Sequence, residues 1–211
     1  MLMLRCLLPL YFIWNYKDYP FDPRIHTLGN HGTLGKLHSI LAPPFTKLLD
    51  NIIYKKNIRE EVIKSQGQYT RILDIGCGTG FSTSNTYGSV GIDLSNEMLH
   101  VANILFKNKT FVNAHAETYK FEQDFDVVTS MFLMHEVPQE SRKNIIDHAK
   151  KTALKRVIIV DISPNYKPSK MMEEGEPYIR DYLKNIRNDL CDFEETILVK
   201  DHVHMWIYNI I

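Results

Sequence analysis

Apolar residues between positions 71 and 161 come in short continuous runs, each bounded by polar or glycine-rich stretches. The runs at 71–75, 89–93, 110–113, 125–130 and 156–161 have the length and β-branched content of strands buried on both faces. Between them the rhythm turns helical. Ser95 stands as an N-cap with Glu97 in the first turn, predicting a helix through about Phe106. Pro138 opens a second helix that carries Ile145, Ile146 and Ala149 on one side. Strands alternating with helices predict a parallel sheet covered on both faces. The tail differs. Residues 169–190 read as helix interrupted at Gly175 and Pro177, and segments 195–200 and 202–208 alternate polar and apolar positions almost without a gap. So tight a hairpin must be antiparallel.

The first 70 residues follow another pattern. Residues 1–14 are apolar except Arg5 and Pro9, and read as a helix packed on the domain. A signal peptide or membrane anchor is the alternative, although no small-residue cleavage site follows. Residues 15–35, rich in Pro, Gly, Asn and His, read as an extended loop. Pro43-Pro44 is expected to stop any preceding helix and start another. Phe45, Leu48, Leu49, Ile52 and Ile53 then predict an amphipathic helix over 44–55 with an inward apolar face.

Composition sharpens this picture at three points. With 211 residues, 44% of them hydrophobic, and 25 basic against 25 acidic side chains, disorder is excluded and a general nucleic-acid surface disfavoured. The neutrality is uneven: residues 1–70 hold 9 Lys+Arg against 5 Asp+Glu, and residues 71–211 hold 16 against 20. We therefore divide the chain into an extension, 1–70, with the character of a substrate lid, and a domain, 71–211. Cys6, Cys77 and Cys191 match neither a disulfide framework nor a zinc site, which points to a reducing, cytoplasmic setting. No run is long enough for a transmembrane helix.

The chemistry concentrates after the first strand, in Ile72-Leu-Asp-Ile-Gly-Cys-Gly-Thr-Gly80. Glycines at the carboxyl end of a strand let a ligand approach the backbone. A phosphate-binding loop would need Gly-Lys-Ser/Thr at its end, and here Phe81 follows Gly80. A dinucleotide loop would need Gly-x-Gly-x-x-Gly, and the spacing here is Gly-x-Gly-x-Gly. The remaining reading is a site for S-adenosylmethionine (SAM), which carries no phosphate but has an ammonium that Asp74 is placed to accept. Asp93, 17 residues after Gly76, suits the ribose hydroxyls.

Residues 71–164 resemble the class I SAM-dependent methyltransferases. The matching motifs are Leu73-Asp-Ile-Gly-Cys-Gly-Thr-Gly80, Val90-Gly-Ile-Asp-Leu-Ser95, Phe111-Val-Asn-Ala-His-Ala-Glu117, Phe125-Asp-Val-Val-Thr-Ser-Met131 and Arg156-Val-Ile-Ile-Val-Asp161. Phe132-Leu-Met-His-Glu-Val-Pro138 resembles the segment after the fourth strand in ubiquinone/menaquinone-biosynthesis methyltransferases. The resemblance implies a Rossmann-like α/β fold, with a seven-stranded, mostly parallel sheet whose last strand is antiparallel. It implies SAM as cofactor and S-adenosylhomocysteine (SAH) as product. Gly76, Gly78 and Gly80 would line the methionine and ribose part, Asp74 would hold the amino group, directly or through water, and Asp93 the ribose. Leu94 and Met98 would flank the adenine, Ala116 and Glu117 would sit at its edge, and Ser130 and Met131 would lie near the methionine part. Family members often carry Asp where this chain has His115, which could accept from the adenine amino group through a neutral ring nitrogen.

His135 stands just past the fourth strand, as a candidate general base or a residue that only shapes the pocket. His26, His31 and His38, with Arg24, are candidate substrate contacts from the extension, and Tyr178, Arg180 and Tyr182 are candidates from the other side. His202 and His204 share a strand face but are too few for a metal site, and read as surface or edge histidines, so no metal is expected. Cys77 reads as a small residue in a tight turn rather than a nucleophile. The function these features imply is methyl transfer from SAM to an O, N or C nucleophile of a small molecule. A non-catalytic SAM-binding subunit and a protein-substrate methyltransferase stay open. The fourth strand lacks the Asp/Asn-Pro-Pro-aromatic and Pro-Cys signatures of nucleic-acid methylation.

Overall fold

The computed structural model describes residues 28–210. The apolar segment 1–14, Arg24 and His26 lie outside the described residues. Seven strands form one sheet: β1 (Ile72–Ile75), β2 (Val90–Asp93), β3 (Phe111–Asn113), β4 (Phe125–Met131), β5 (Ala153–Ile162), β6 (Glu194–Val199) and β7 (Val203–Asn209). Their order is β3-β2-β1-β4-β5-β7-β6. β1 to β5 pair in parallel, and β7 runs antiparallel to both β5 and β6. The apolar runs thus become interior strands, as their patterning predicts. The hairpin closes through Lys200–His202, with Asp201 in the left-handed region at φ 59°.

Among the described residues six α-helices surround the sheet: α1 (Gly32–Leu48), α2 (Ile58–Ser65), α3 (Asn96–Leu105), α4 (Gln139–Thr152), α5 (Lys170–Gly175) and α6 (Ile179–Asp189). Ser95 caps α3 by accepting from the Met98 amide, as expected. The larger core, including Phe125, Ile145, Ile146, Ile159, Tyr182 and Trp206, fills the α4/α6 face. On the other face Ile58 and Val62 of α2 join Ile72, Val127, Met131, Ile158, Val160 and Val203. α2 is therefore packed into the sheet's own core, although it precedes residue 70.

Two sequence expectations fail in the N-terminal part. α1 runs through Pro43 and Pro44 instead of stopping there, and ends in a π-helical turn, Leu49–Tyr54. Its inward residues are Gly35, Ser39, Pro43 and Asp50, all small or polar. Phe45, Leu48, Ile52 and Ile53 are exposed, together with Leu37, Ile40 and Leu41. The apolar periodicity is real, but its face points away from the sheet. A further departure from regular alternation lies between β1 and β2. Gly76–Ser89 connects these parallel strands with no helix, so the glycine loop is held by side-chain hydrogen bonds instead.

Candidate active site

The carboxyl ends of β1, β2 and β4 set the site. Gly76 and Cys77 amides both donate to the Ile92 carbonyl, which folds the loop back over β2. The three loop glycines have positive φ but different surroundings. At Gly80 a Cβ would stand 2.6 Å from the Phe111 ring, and at Gly76 2.8 Å from Leu133, so both are packing positions. Only Gly78 faces open space, with nothing within 4 Å of a Cβ position. Gly76 and Gly80 thus lack a Cβ for packing, and Gly78 is the one of the three whose Cβ side is open.

Asp74 is fully buried, and its carboxylate accepts from Ser82 (2.8 Å), Thr83 (2.7 Å) and Thr129 (3.1 Å) hydroxyls. Asp74 thus braces the helix-free loop through two bonds on Oδ2 and one on Oδ1, and Oδ1 keeps a further lone pair. Burial raises its pKa, and the three hydroxyls oppose that rise. The same enclosure pushes the Cys77 thiol well above the usual range, which removes it as a nucleophile.

Asp93 ends β2 beside Gly78. One carboxylate oxygen accepts from the Gly78 amide (2.8 Å) and the other from the Ser95 amide (2.8 Å). Each oxygen keeps a further lone pair. Burial raises its pKa to about 6 against the pull of these two bonds. Ser130, at the end of β4, has a buried hydroxyl oxygen without a hydrogen-bond partner. An open glycine, a carboxylate fixed in orientation and an orphaned hydroxyl together fit a nucleoside ligand with hydroxyl donors.

Leu94 is half-buried and Met98 buried on α3 next to Asp93. His115, Ala116 and Glu117 follow β3, with the Ala114 amide donating to the Asp93 carbonyl. The His115 Nδ1 accepts from the Glu117 amide at 3.3 Å, so in this tautomer its Nε2 carries the proton and donates. That bond occupies the Nδ1 lone pair of His115 from within its own segment. Glu117 itself accepts from Asn144. Met131 packs in the α2 core with Ile58 and Val62, away from the place expected for it.

The N-terminal part reaches the same edge. Glu97 accepts from the Gly32 amide at 2.7 Å, placing a carboxylate at the start of α1, and Ser95 donates to the Asn30 carbonyl. His31 lies 3.7 Å from Glu97, its pKa lowered by burial. The His38 ring bonds the Gly29 carbonyl at 2.9 Å and so staples the turn before α1.

On the β4–β5 side, His135 is 4% exposed, and its Nδ1 lies 2.6 Å from Asp161. Asp161 also accepts from the Met134 and Ile162 amides, so the pair is anchored at both ends. The His135 Nε2 has no hydrogen-bond partner among the described residues. Burial opposes the charge, but Asp161 overrides it and lifts the pKa to about 9. Asp161 thus favours the charged, hydrogen-bond-donating form of the ring. Arg142, fully buried, fixes this segment through bonds to the Val137 carbonyl, Asp189 and Asp181.

The remaining substrate candidates separate. Tyr182 is core: its hydroxyl donates to the Ile162 carbonyl at 2.6 Å. The Arg180 side chain is 77% exposed and pairs with Glu173. Tyr178 is half-buried at the start of α6. His202 is exposed, but His204, expected at the surface, is buried between Glu195 (2.6 Å) and Ser163 (3.0 Å), because β7 is an interior strand. Among the described residues no three His, Cys, Asp or Glu side chains gather as metal ligands.

One group was invisible to the sequence. Tyr54 and Arg59 come from the N-terminal part and meet Phe132 just beyond β4. Only the positive φ of Phe132, 62°, marks it locally, and no sequence pattern announces it.

The strand order, the glycine loop after β1 and the acidic end of β2 are those of the Rossmann-like methyltransferase fold. Residues 72–155 match the family model described as a methyltransferase domain. An uncharacterized protein of Methanocaldococcus jannaschii is 37% identical over 99 residues, a stretch that spans 44% of this chain and 37% of that protein. Among solved structures, the TehB-like SAM-dependent methyltransferase of Corynebacterium glutamicum aligns with a TM-score of 0.56 at 16% identity, covering 81% of this chain and 97% of that one. Magnesium protoporphyrin IX methyltransferase of Synechocystis PCC 6803, crystallised with SAM, aligns at 0.53 and 15% identity over 96% of each chain. At such identities the likeness is one of fold.

Proposed function

We propose that the chain transfers the methyl group of SAM to an O, N or C nucleophile of a small molecule. The observation that carries this is the convergence of the open backbone at Gly78, the Asp93 carboxylate and the orphaned Ser130 hydroxyl on one sheet edge. When bound there, SAM supplies an electrophilic methyl group, so the protein's task is chiefly positioning. Gly78 admits the ligand to the backbone, Asp93 receives the ribose hydroxyls, and Leu94 and Met98 border the base. The His135 imidazolium, held by Asp161, donates from Nε2 to an oxygen of the acceptor and fixes its orientation. No helix among the described residues is long and apolar enough to cross a membrane. We place the chain in the cytoplasm on its cysteine usage, with small molecules and not nucleic acid as partners.

Calorimetric titration of SAM and SAH into the wild type and Asp93→Ala tests cofactor binding. Loss of a charged hydrogen-bonding partner should weaken SAH by about tenfold or more. No binding to the wild type overturns the reading. Binding without transfer of labelled methyl to any small-molecule extract marks a partner subunit instead, and label on polypeptide marks a protein substrate.

A further inference from the structure

Beside the site described above, the guanidinium of Arg59 lies over the Phe132 ring, its Cζ 4.3 Å from the centroid. The Tyr54 ring is parallel to the same ring, with centroids 6.4 Å apart and planes 8° off. Asp50 accepts from Arg59 Nη1 at 3.2 Å. The Arg59 side chain is only 13% exposed, yet this is its one hydrogen bond among the described residues, and a guanidinium has five N–H donors. Its remaining donors are not sealed from solvent, so an anion can reach a fork already oriented by Asp50 and Phe132.

The position of this group ties it to the acceptor side. Phe132 follows β4 directly and donates its amide to the Val160 carbonyl. Its neighbour Leu133 closes over Gly76 of the glycine loop, and His135 comes three residues later. Arg59 is near enough to Asp74 and Asp161 to feel both electrostatically, and Tyr54 feels Asp161 and Tyr166. Phe132 also adopts φ 62°, a left-handed backbone that a bulky residue takes only when its surroundings impose it. That backbone presents the ring to Arg59 and Tyr54.

We propose that Arg59, set over Phe132 beside Tyr54 and held by Asp50, is the clamp for a carboxylate carried on a planar aromatic acceptor. The chemistry follows from the parts. A planar fork held in one orientation matches a carboxylate through two parallel bonds, which a lysine cannot reproduce. The parallel faces of Tyr54 and Phe132 favour a flat ring over an aliphatic chain. The identity of the bound molecule as a methyl acceptor rests on the methyltransferase reading; the clamp itself does not.

The test uses benzoate and its neutral isostere benzamide as probes on the full chain, with and without saturating SAH, followed by chemical-shift titration. Benzoate should bind about tenfold or more tighter than benzamide. Arg59→Lys should weaken benzoate several-fold, and Arg59→Met should bring it to the level of benzamide, while SAH affinity stays within about twofold. Equal binding of the two probes, or unchanged benzoate binding in Arg59→Met, overturns the proposal and leaves Arg59 as a tie between α2 and the turn before it. Should Arg59→Met not fold, Arg59→Lys keeps the charge and decides the matter. If SAH does not bind, the methyltransferase reading falls while the benzoate comparison still judges the clamp.

Discussion

Asp93 and Gly78 share one hydrogen bond, and through it the protonation of a side chain reaches the ligand loop. With its pKa raised to about 6, Asp93 is ionised at neutral pH and largely protonated at pH 5. SAH affinity should therefore fall as pH drops through about 6, and Asp93→Asn should abolish that dependence; titrations at pH 5 and pH 7.5 check this. The folded pKa lies above the ordinary 3.8, so ionising Asp93 costs the folded state stability as pH rises between these values. Glycines of one loop should also part company. Gly80→Ala forces a Cβ against the Phe111 ring at φ +86° and should cost about 1–3 kcal/mol in denaturant unfolding. Gly78→Ala meets no atom of the protein, so it should cost about 1 kcal/mol and act chiefly on SAH binding. Asp93 and Gly78 were legible because the loop and the second-strand acid are local signals. The Arg59 group was not, because residues 50, 54, 59 and 132 meet only through tertiary packing.

At the scale of elements, the segment between β4 and α4 depends on one buried cation. Arg142 bonds the Val137 carbonyl and Asp189, both inside the protein, and reaches Asp181 at the surface end. Arg142→Met leaves the Asp189 carboxylate buried without a countercharge, with only the Gln139 amide bonded to it, which should cost about 3–5 kcal/mol by chemical unfolding. The His135–Asp161 pair belongs to this segment. The folded pKa of His135, about 9, exceeds its ordinary 6.5, so its contribution is full below pH 6.5 and is lost as pH rises through about 9. Unfolding measured between pH 6 and pH 10 should lose on the order of 3 kcal/mol in the wild type and much less of this in His135→Gln. Element types in the sheet followed from the continuous apolar runs, because a strand buried on both faces leaves that mark. The orientation of α1 did not follow. Periodicity locates an apolar face but says nothing of which way it turns, and Gly35, Ser39 and Pro43 allow the opposite face to sit close to the protein.

For the molecule as a whole, the division of charge between the first 70 residues and the rest now has a structural counterpart. Arg59, one of the basic residues of the N-terminal part, is carried by α2 against the core of an acidic domain and over its ligand edge. The order of strands has a further consequence in time. β6 is bonded to β7 alone, and β7 lies between β6 and β5 although it follows both in the chain. While only residues up to about 199 have been synthesised, β5 has an open edge and β6 has no neighbour. The two late strands must pair through their short turn and dock on β5 as a unit, bringing Trp206 into the core and His204 between Glu195 and Ser163. Pulse-labelled hydrogen exchange during refolding should find the β6 and β7 amides protected last. Protection there before β1 and β4 would contradict this order. A nascent chain paused before β7 is therefore a molecule with its ligand loop already encoded and an unpaired strand edge still exposed, the state in which it is most vulnerable to pairing with another chain.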